Sequence, residues 1–369
     1  MVLVAAIRFS SNKARISAEI NPEQALSLLK PVHGAEPELD LNLSSSLDQA
    51  YPDYEVLVCA RSLSDPAFAV LDQISANYPS VKIKKIASGE PPWINPRTYS
   101  VHVMLQSAKH SLLVITDSDV RVDPNFLRCI SSYFQDKQVG LVTCLYRGVT
   151  KAGFWARLEA LGMSVEMSSG VLVAEMLEGM KFALGPSMAV RKEVIDAIGG
   201  LEEIAEYYAD DFVLGNRVSK SGYRVVLSSY VIEHVITNSG FRASLRHQLG
   251  WARSTRFSRP KGHVGTVLTY AMPFALLGLV AGWLLGNWKL GIALLLCGVA
   301  NRMVQCIAVG WGVVRDKSSL LYCWLYPVRD FTGFIFWVWS YLSNEVQYRG
   351  ETYTLFEDGK IRLKQHQRY

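Results

Sequence analysis

An α/β domain with a mainly parallel sheet, followed by membrane helices, is the fold class this 369-residue sequence predicts. Three observations carry that reading. Apolar runs of strand length alternate with helix-length segments through the first two-thirds of the chain. One such run, Ser111–Thr116, ends in Asp117-Ser118-Asp119. Beyond about Lys261 the composition changes to long apolar stretches with very few charges.

The strand-length runs are Ala25–Leu29, Glu55–Ala60, Val81–Ile86, Ser111–Thr116 and Gly140–Cys144. Between them lie helical candidates near Glu38–Gln49, Pro66–Asn77, Arg97–Ala108 and Pro124–Phe134. Strands separated by single helices imply right-handed crossovers, hence a doubly wound, nucleotide-binding type of domain. No G-x-G-x-x-G and no P-loop lysine motif occurs, which disfavours dinucleotide and NTPase chemistry. Further on, Phe182–Val190 reads as a strand and Arg191–Ile198 as a short helix ending at Gly199-Gly200. Asp210–Lys220 reads as a helix closed by Ser221-Gly222. Phe241–Phe257 has a helical period, with Arg on one side and Leu245, Leu249 and Ala252 on the other, as in a helix lying on a membrane surface.

Half of the residues are hydrophobic, and they concentrate toward the C-terminus. Val264–Gly286 carries no ionisable side chain and has the length to cross a bilayer as a helix. Leu290–Val314 is as long but includes Asn301, Arg302 and Gln305. Phe331–Leu342 is shorter and follows Pro327, Arg329 and Asp330; an interfacial, re-entrant or broken helix all fit it. Trp and Tyr cluster near the ends of these runs, as at bilayer interfaces. The net charge of +5 gives no argument for nucleic acid. Its location says more: Arg242, Arg246, Arg253, Arg256, Arg259 and Lys261 precede the first run. Basic residues there place the preceding domain on the cytoplasmic side, with the bilayer as a partner. The six cysteines lack paired spacing and read as buried reduced thiols. Met1–Ile7 is too short for a signal peptide; an anchor stub, a frayed end and a first strand all remain open. The expected organisation is an N-terminal segment 1–24, a catalytic domain 25–240, a juxtamembrane helix 241–263, a membrane domain 264–343 and a cytoplasmic tail 344–369.

Asp117 and Asp119 alternate along a strand, so they project together from its carboxyl end, where open α/β sheets bind ligands. Two hard carboxylates there suit Mg²⁺ or Mn²⁺ clamping a diphosphate, or else a solvated acidic turn before Pro124. Asp65 follows the second strand; it reads as a nucleotide contact, as an N-cap with Pro66 at the first helical position, or as both. Asp210-Asp211 opens a helix. Capping is the plain reading, and since neighbours on a helix diverge, one of the two faces the crevice. In a low-dielectric, lipid-facing site its raised pKa suits a general base. His247, Trp251 and Arg253 sit in the juxtamembrane helix, where interfacial anchoring and substrate contact are both natural.

The ordered set Asp65, Asp117-x-Asp119, Ala209-Asp-Asp211 and His247-x-x-x-Trp251 before membrane runs resembles the ceramide glucosyltransferase family. It is similar also to the bacterial hopanoid-associated glycosyltransferases. Leu29-Lys-Pro31, Asp48–Val58, Asp117–Val122, Gly140–Thr143, Gly199–Leu201, Tyr207–Phe212 and Arg329-Asp330 match as well. The resemblance covers roughly Ser27 to Leu355. It implies a GT-A type nucleotide-diphospho-sugar fold and inverting transfer from a UDP-sugar to a lipid hydroxyl. By position, Asp65 and Asp117 would contact the nucleotide, Arg97 the donor, Asp119 the metal, and Asp211 would be the base. His247 and Trp251 would belong to an element near the diphosphate and acceptor.

Three departures stand out. Gly250 replaces the Arg that precedes Trp251 in the family, and Arg253 is expected to fill that space and serve the diphosphate. Arg97 replaces a Lys, and Thr98-Tyr99-Ser100 replaces an Asn-rich run. The family's amino-terminal anchor is missing. The expectation is a multi-pass membrane enzyme of a bacterial inner membrane or its equivalent. It would transfer glucose from UDP-glucose to a ceramide-type lipid, or N-acetylglucosamine to a hopanoid polyol. A non-catalytic membrane protein or transporter with a degenerate domain is the rival from another class.

Overall fold

The computed structural model describes residues 1–16, 24–237, 240–348 and 350–364. The expected segments 1–24 and 344–369 therefore lie partly outside the described residues. Two compact units form: Asn12–Tyr146 with Leu177–Val235, and Met1–Ser11 with Arg147–Met176 and Ile236–Tyr369. The segment Arg147–Met176 thus groups with Ile236–Tyr369.

The first unit is built on an eight-stranded sheet. Its strands are β1 (Leu26–Pro31), β2 (Tyr54–Ala60), β3 (Lys82–Ala87), β4 (Leu112–Thr116), β5 (Val120–Arg121), β6 (Val139–Val149), β7 (Ser187–Arg191) and β8 (Arg224–Val235). Their order is β3-β2-β1-β4-β7-β6-β8-β5. The first four are parallel, as expected. β7 runs antiparallel to both β4 and β6, and β5 to β8, so half of the sheet is mixed. Alternation along the central strands explains its burial. Leu26, Leu28, Val56, Val58, Leu112 and Val114 face one apolar cluster, and Leu29, Leu57, Cys59, Leu113 and Ile115 face the other. The helices Leu39–Leu47, Pro66–Ser75 and Phe126–Ser132 cover the first face; Pro96–Ser107, Lys192–Ala197 and Asp210–Lys220 cover the second. Because β1 lies between β2 and β4, the chain reverses direction of growth beside β1. The crevice outside the carboxyl ends of β1 and β4 is the switch point.

In the second unit Met1–Ile7 belongs to a helix, Val2–Ile16, and is not a strand. Among the described residues, two helices have the length and apolarity to cross a bilayer, Phe154–Glu178 and Trp288–Trp311. The sequence reading overlooked the first, because Arg157, Glu159, Glu166 and Glu175 interrupt its apolar pattern. It passes through a π-helical turn at Gly162–Met167. The run expected as one span over Val264–Gly286 is broken: Pro260–Thr269 and Met272–Leu284 meet at 47°. Pro273 in the first turn of the second piece contributes to it, since proline has no N–H to offer the Thr269 carbonyl four residues back. Phe331–Leu342 falls mostly in Tyr326–Ser340, a helix of 15 residues that does not qualify as a span by itself, and its last two residues lie in the turn that follows. Residues beyond it form a small antiparallel sheet, β9 (Glu345–Tyr348), β10 (Glu351–Leu355) and β11 (Ile361–Leu363). All six cysteines are free; Cys59, Cys144 and Cys306 are buried as expected, whereas Cys297 is exposed.

The break is satisfied by one ion pair. Arg302 Nη1 lies 3.0 Å from Asp330 Oδ1 and donates to the Thr269 carbonyl at 2.9 Å. Asp330 Oδ2 accepts from the Met272 amide at 2.8 Å. The pair thereby supplies partners to a carbonyl and an amide that the interrupted helix leaves over. Replacing Asp330 by Ala should lower stability by about 3–5 kcal/mol, since it strands Arg302 and the Met272 amide. Thermal unfolding in detergent checks this, and the double replacement Asp330→Ala with Arg302→Met should cost less than the sum of the two.

Candidate functional site

The acidic residues of the first unit are organised by Arg97. Asn95 caps the helix Pro96–Ser107, its Oδ1 accepting from the amides of Arg97 and Thr98 at 3.0 and 3.1 Å. Pro96 then fixes the first turn, so Arg97 leaves the helix at a defined angle. All three guanidinium nitrogens are engaged: Nε with Asp117 Oδ1 at 2.7 Å, Nη1 with Asp210 Oδ2 at 2.7 Å, and Nη2 with the Gly185 carbonyl at 2.8 Å. Arg97 therefore ties three segments together. Burial raises the pKa of the Asp117 carboxyl; Arg97 opposes that rise and Asp119 adds to it.

Asp210 and Asp211 diverge, as expected for helix neighbours. Asp210 is buried against Arg97 and accepts from Thr98 Oγ1 at 3.0 Å. Asp211 Oδ2 instead accepts from the Gly185 amide at 2.5 Å. The approach is close: a Cβ on residue 185 would lie 3.0 Å from that same oxygen, so Asp211 would have to shift by a few tenths of an ångström to admit one. Thr143 holds the turn, its Oγ1 accepting from the Leu184 amide at 2.9 Å and donating to the Ser187 carbonyl at 3.1 Å. The helix bearing both acids packs on this segment through Gly215, where a Cβ would meet the Ala183 nitrogen at 2.4 Å. Burial in protein, then the charge of Asp210, raises the Asp211 carboxyl to about 6, against the pull of Arg97. The shift was expected, but it arises from burial inside this unit.

Asp117 and Asp119 leave the end of β4 over a buried lysine. Lys30 Nζ, at the end of β1, donates to the Asp117 carbonyl at 2.9 Å and to the Val120 carbonyl at 3.3 Å. Burial lowers its pKa to about 8, although Asp119 and Asp117 favour its charge. Asp119 Oδ2 lies 3.2 Å from His234 Nε2 on β8. The strand pairing itself makes this contact, for Val120 sits opposite His234 and the Val235 amide bonds the Asp119 carbonyl at 2.8 Å. Tyr146 stacks at an angle on His234, 5.5 Å between ring centres. Asp65 caps Pro66–Ser75 by accepting from the Ala67 amide at 2.9 Å, and its Oδ1 also accepts from the Gly34 amide after β1 at 2.9 Å. Its capping role is thus realised at the switch point.

The second unit carries the residues of the helix Phe241–Ser258. His247 Nδ1 lies 2.5 Å from Glu159 Oε1, and its ring packs on Trp251 with centroids 4.2 Å apart. Arg253 Nη1 donates to the Glu345 carbonyl of β9 at 2.6 Å, and Gly250 is buried.

Sequence reasoning missed Lys30, His234 and Glu159. Lys30 was visible as a charge inside an apolar strand, and Glu159 as an acid inside an apolar run. His234 had no local signal, because its meaning comes from the β5–β8 pairing.

Comparison with known proteins fits this geometry. The sequence pattern of Glycosyl transferase family 21 matches residues 1–361. Ceramide glucosyltransferase 1 of Caenorhabditis elegans is 26% identical over 234 residues, 62% of this chain and 50% of the relative. Beta-monoglucosyldiacylglycerol synthase of Synechocystis is 23% identical over 184 residues, 49% of this chain and 36% of the relative. The chain thus spans about half the length, or less, of these curated relatives. Among solved structures, a mannosyltransferase from Pyrobaculum calidifontis, in complex with GDP-Man and Mn²⁺, superposes with a TM-score of 0.51. It is 15% identical and covers 92% of this chain and 99% of its own, a likeness of fold of the GT-A type. By the match along nearly its whole length, the chain belongs to glycosyl transferase family 21.

Proposed function

We propose that this chain is a membrane-bound inverting glycosyltransferase that moves a hexose from a UDP-sugar, UDP-glucose in our reading, to the hydroxyl of a ceramide-type lipid. The observation that carries the proposal is Asp211, a partly buried carboxylate with its pKa raised to about 6, joined through Gly185 and Arg97 to Asp117 of the Asp-Ser-Asp turn. A base of that strength is ionised at neutral pH yet basic enough to draw a proton from a hydroxyl. In this reading Asp65 and Asp117 hold the nucleotide, and Asp211 takes the proton of the acceptor. The lipid oxygen then attacks the anomeric carbon opposite the departing UDP. His247, Trp251 and Arg253 serve the diphosphate and the acceptor. The curated relatives named for ceramide and diacylglycerol products support a lipid acceptor.

Asp119 and His234 suit a divalent ion. A carboxylate oxygen and an imidazole nitrogen from separate elements converge at 3.2 Å, a donor pair that accepts Mn²⁺ or Mg²⁺. Among the described residues no third His, Cys, Asp or Glu completes a cluster with them. A bound ion there would neutralise charge on the leaving diphosphate. The Arg-rich helix before the apolar segments supports a cytoplasmic face for the reaction.

The deciding experiment incubates the purified full chain in detergent with UDP-glucose or UDP-N-acetylglucosamine, each offered ceramide, diacylglycerol or a hopanoid polyol. Glucosylceramide is expected. Transfer of N-acetylglucosamine to the hopanoid alone would replace both donor and acceptor, and no transfer to any lipid would sink the reading. Asp211→Asn should lower turnover by about 10²–10⁴ while UDP still binds by calorimetry. The wild-type rate constant kcat/KM should fall as pH drops through about 6, because the folded carboxyl then takes up the proton that disables the base. A flat profile between pH 5 and 8 would remove Asp211 from the role. Asp119→Ala and His234→Ala should each weaken Mn²⁺-dependent UDP binding, measured by calorimetry with and without chelator. Full activity of the wild type in chelator would contradict the metal assignment.

A further inference from the structure

Thr143 places a hydroxyl in the apolar centre of β6, between Val142 and Cys144, and all three are buried. A hydroxyl in such a place costs free energy unless it is bonded, so its partners show what it serves. Its Oγ1 accepts from the Leu184 amide at 2.9 Å and donates toward two carbonyls, Ser187 at 3.1 Å and Leu184 at 3.2 Å. One side chain of β6 therefore braces both ends of the stretch Leu184-Gly185-Pro186-Ser187. That stretch touches three parts of the acidic site. The Gly185 amide donates to Asp211 Oδ2, the Gly185 carbonyl accepts from Arg97 Nη2, and the Pro186 carbonyl accepts from the Asp117 amide at 3.2 Å. Neither Gly185 nor Pro186 has a polar side chain with which to fix the stretch itself.

The Leu184 carbonyl and the Gly185 amide belong to one peptide group, which is planar and trans, so they point in opposite directions. Holding the carbonyl on one side directs the N–H to the other. We infer that Thr143 is a positioning residue for Asp211: by engaging the Leu184 carbonyl it fixes the Leu184–Gly185 peptide with its N–H aimed at the carboxylate. The inference rests on the reading above in taking Asp211 as the base of the reaction. Its consequence is electrostatic. A donated N–H favours the charged carboxylate, and the Gly185 amide thereby opposes the rise that burial and Asp210 impose on Asp211. Asp210 on the same helix, Arg97 from the helix Pro96–Ser107 and Tyr146 from β6 also act on that carboxylate. A neutral substitution at Thr143 leaves each of those groups in place, so a change in the titration of Asp211 reports the amide.

Thr143→Val removes the hydroxyl at nearly constant shape, and Thr143→Ser keeps it. The full chain in detergent, labelled with carbon-13 at the aspartate side-chain carboxyls, gives the titration of Asp211 directly, and the resonance missing from Asp211→Asn assigns it. The wild type should titrate at about 6. Thr143→Val should titrate about one pH unit higher, a tenfold tighter hold on the proton, as for loss of one hydrogen bond to a charged group. Thr143→Ser should keep the wild-type midpoint. UDP binding by calorimetry should be the same in all three, and the acidic limb of kcat/KM should move with the resonance. Should Thr143→Val fail to fold, the smaller Thr143→Ala must show the same rise. A wild-type midpoint in Thr143→Val, a displaced one in Thr143→Ser, or a rise accompanied by loss of UDP binding overturns the inference. Absence of any sugar transfer would instead count against the proposed function, since the titration needs no turnover.

Discussion

Everything in the acidic site depends on one guanidinium. Asp117, Asp119, Asp210 and Asp211 converge from the end of β4 and the start of a helix some ninety residues later, and without a cation their mutual repulsion would hold those segments apart. Arg97 answers two of them directly and binds the backbone of Gly185, the residue that also orders Asp211. Its planar fork allows three bonds in three directions, which a lysine ammonium would make less rigidly. Removing one partner of such a buried pair typically costs about 3–5 kcal/mol, so the acids and Arg97 hold their places jointly.

Electrostatic balance explains why the four acids behave differently although they share a neighbourhood. Asp210 has both Arg97 and Thr98 at hydrogen-bond distance. Asp211, one residue on, has an amide donor and feels Arg97 only at a distance, while Asp210 adds like charge beside it. Of the two, only Asp211 lacks a cation at hydrogen-bond distance. A base poised near neutrality therefore follows from placing two acids in sequence and giving the arginine to the first. Lys30 plays a comparable part beneath the Asp-Ser-Asp turn, bonding its carbonyls and leaving its carboxylates outward.

The parallel half of the sheet was legible because its signals are local. Period-two alternation marks the strands, Asp65-Pro66 and Asn95-Pro96 mark helix starts, and Asp210–Lys220 matches the helix from end to end. The mixed half was not, since antiparallel pairing of β5 with β8 joins residues more than a hundred apart and leaves no periodic trace. His234 belongs to that non-local part, as do the partners of Arg97, which lie 20 and 113 residues away in sequence. In the C-terminal half, hydropathy located the long apolar runs. It could not reveal Phe154–Glu178, whose charges lower its apparent apolarity, nor the bend that divides the first expected span.

Those charges follow a common logic once their partners are known. Glu159 answers His247 and Ser244; Glu166 lies 2.8 Å from Arg329; Asp330 and Arg302 serve each other and a broken backbone. An apolar medium provides no water to satisfy an interrupted helix, so a break is tolerated only where side chains supply the missing donors and acceptors. The sequence therefore had to place acid and base opposite the Thr269–Met272 break, and it did so from two other helices. Arg329 approaches so closely that a Cβ at Gly162 would lie 2.2 Å from its Nε, which makes the glycine of the π-helical turn part of the same solution. Read one helix at a time, these ionisable residues weaken the case for a membrane domain. Taken with their partners they strengthen it, because a water-filled surface would have no need to pair each of them with another helix.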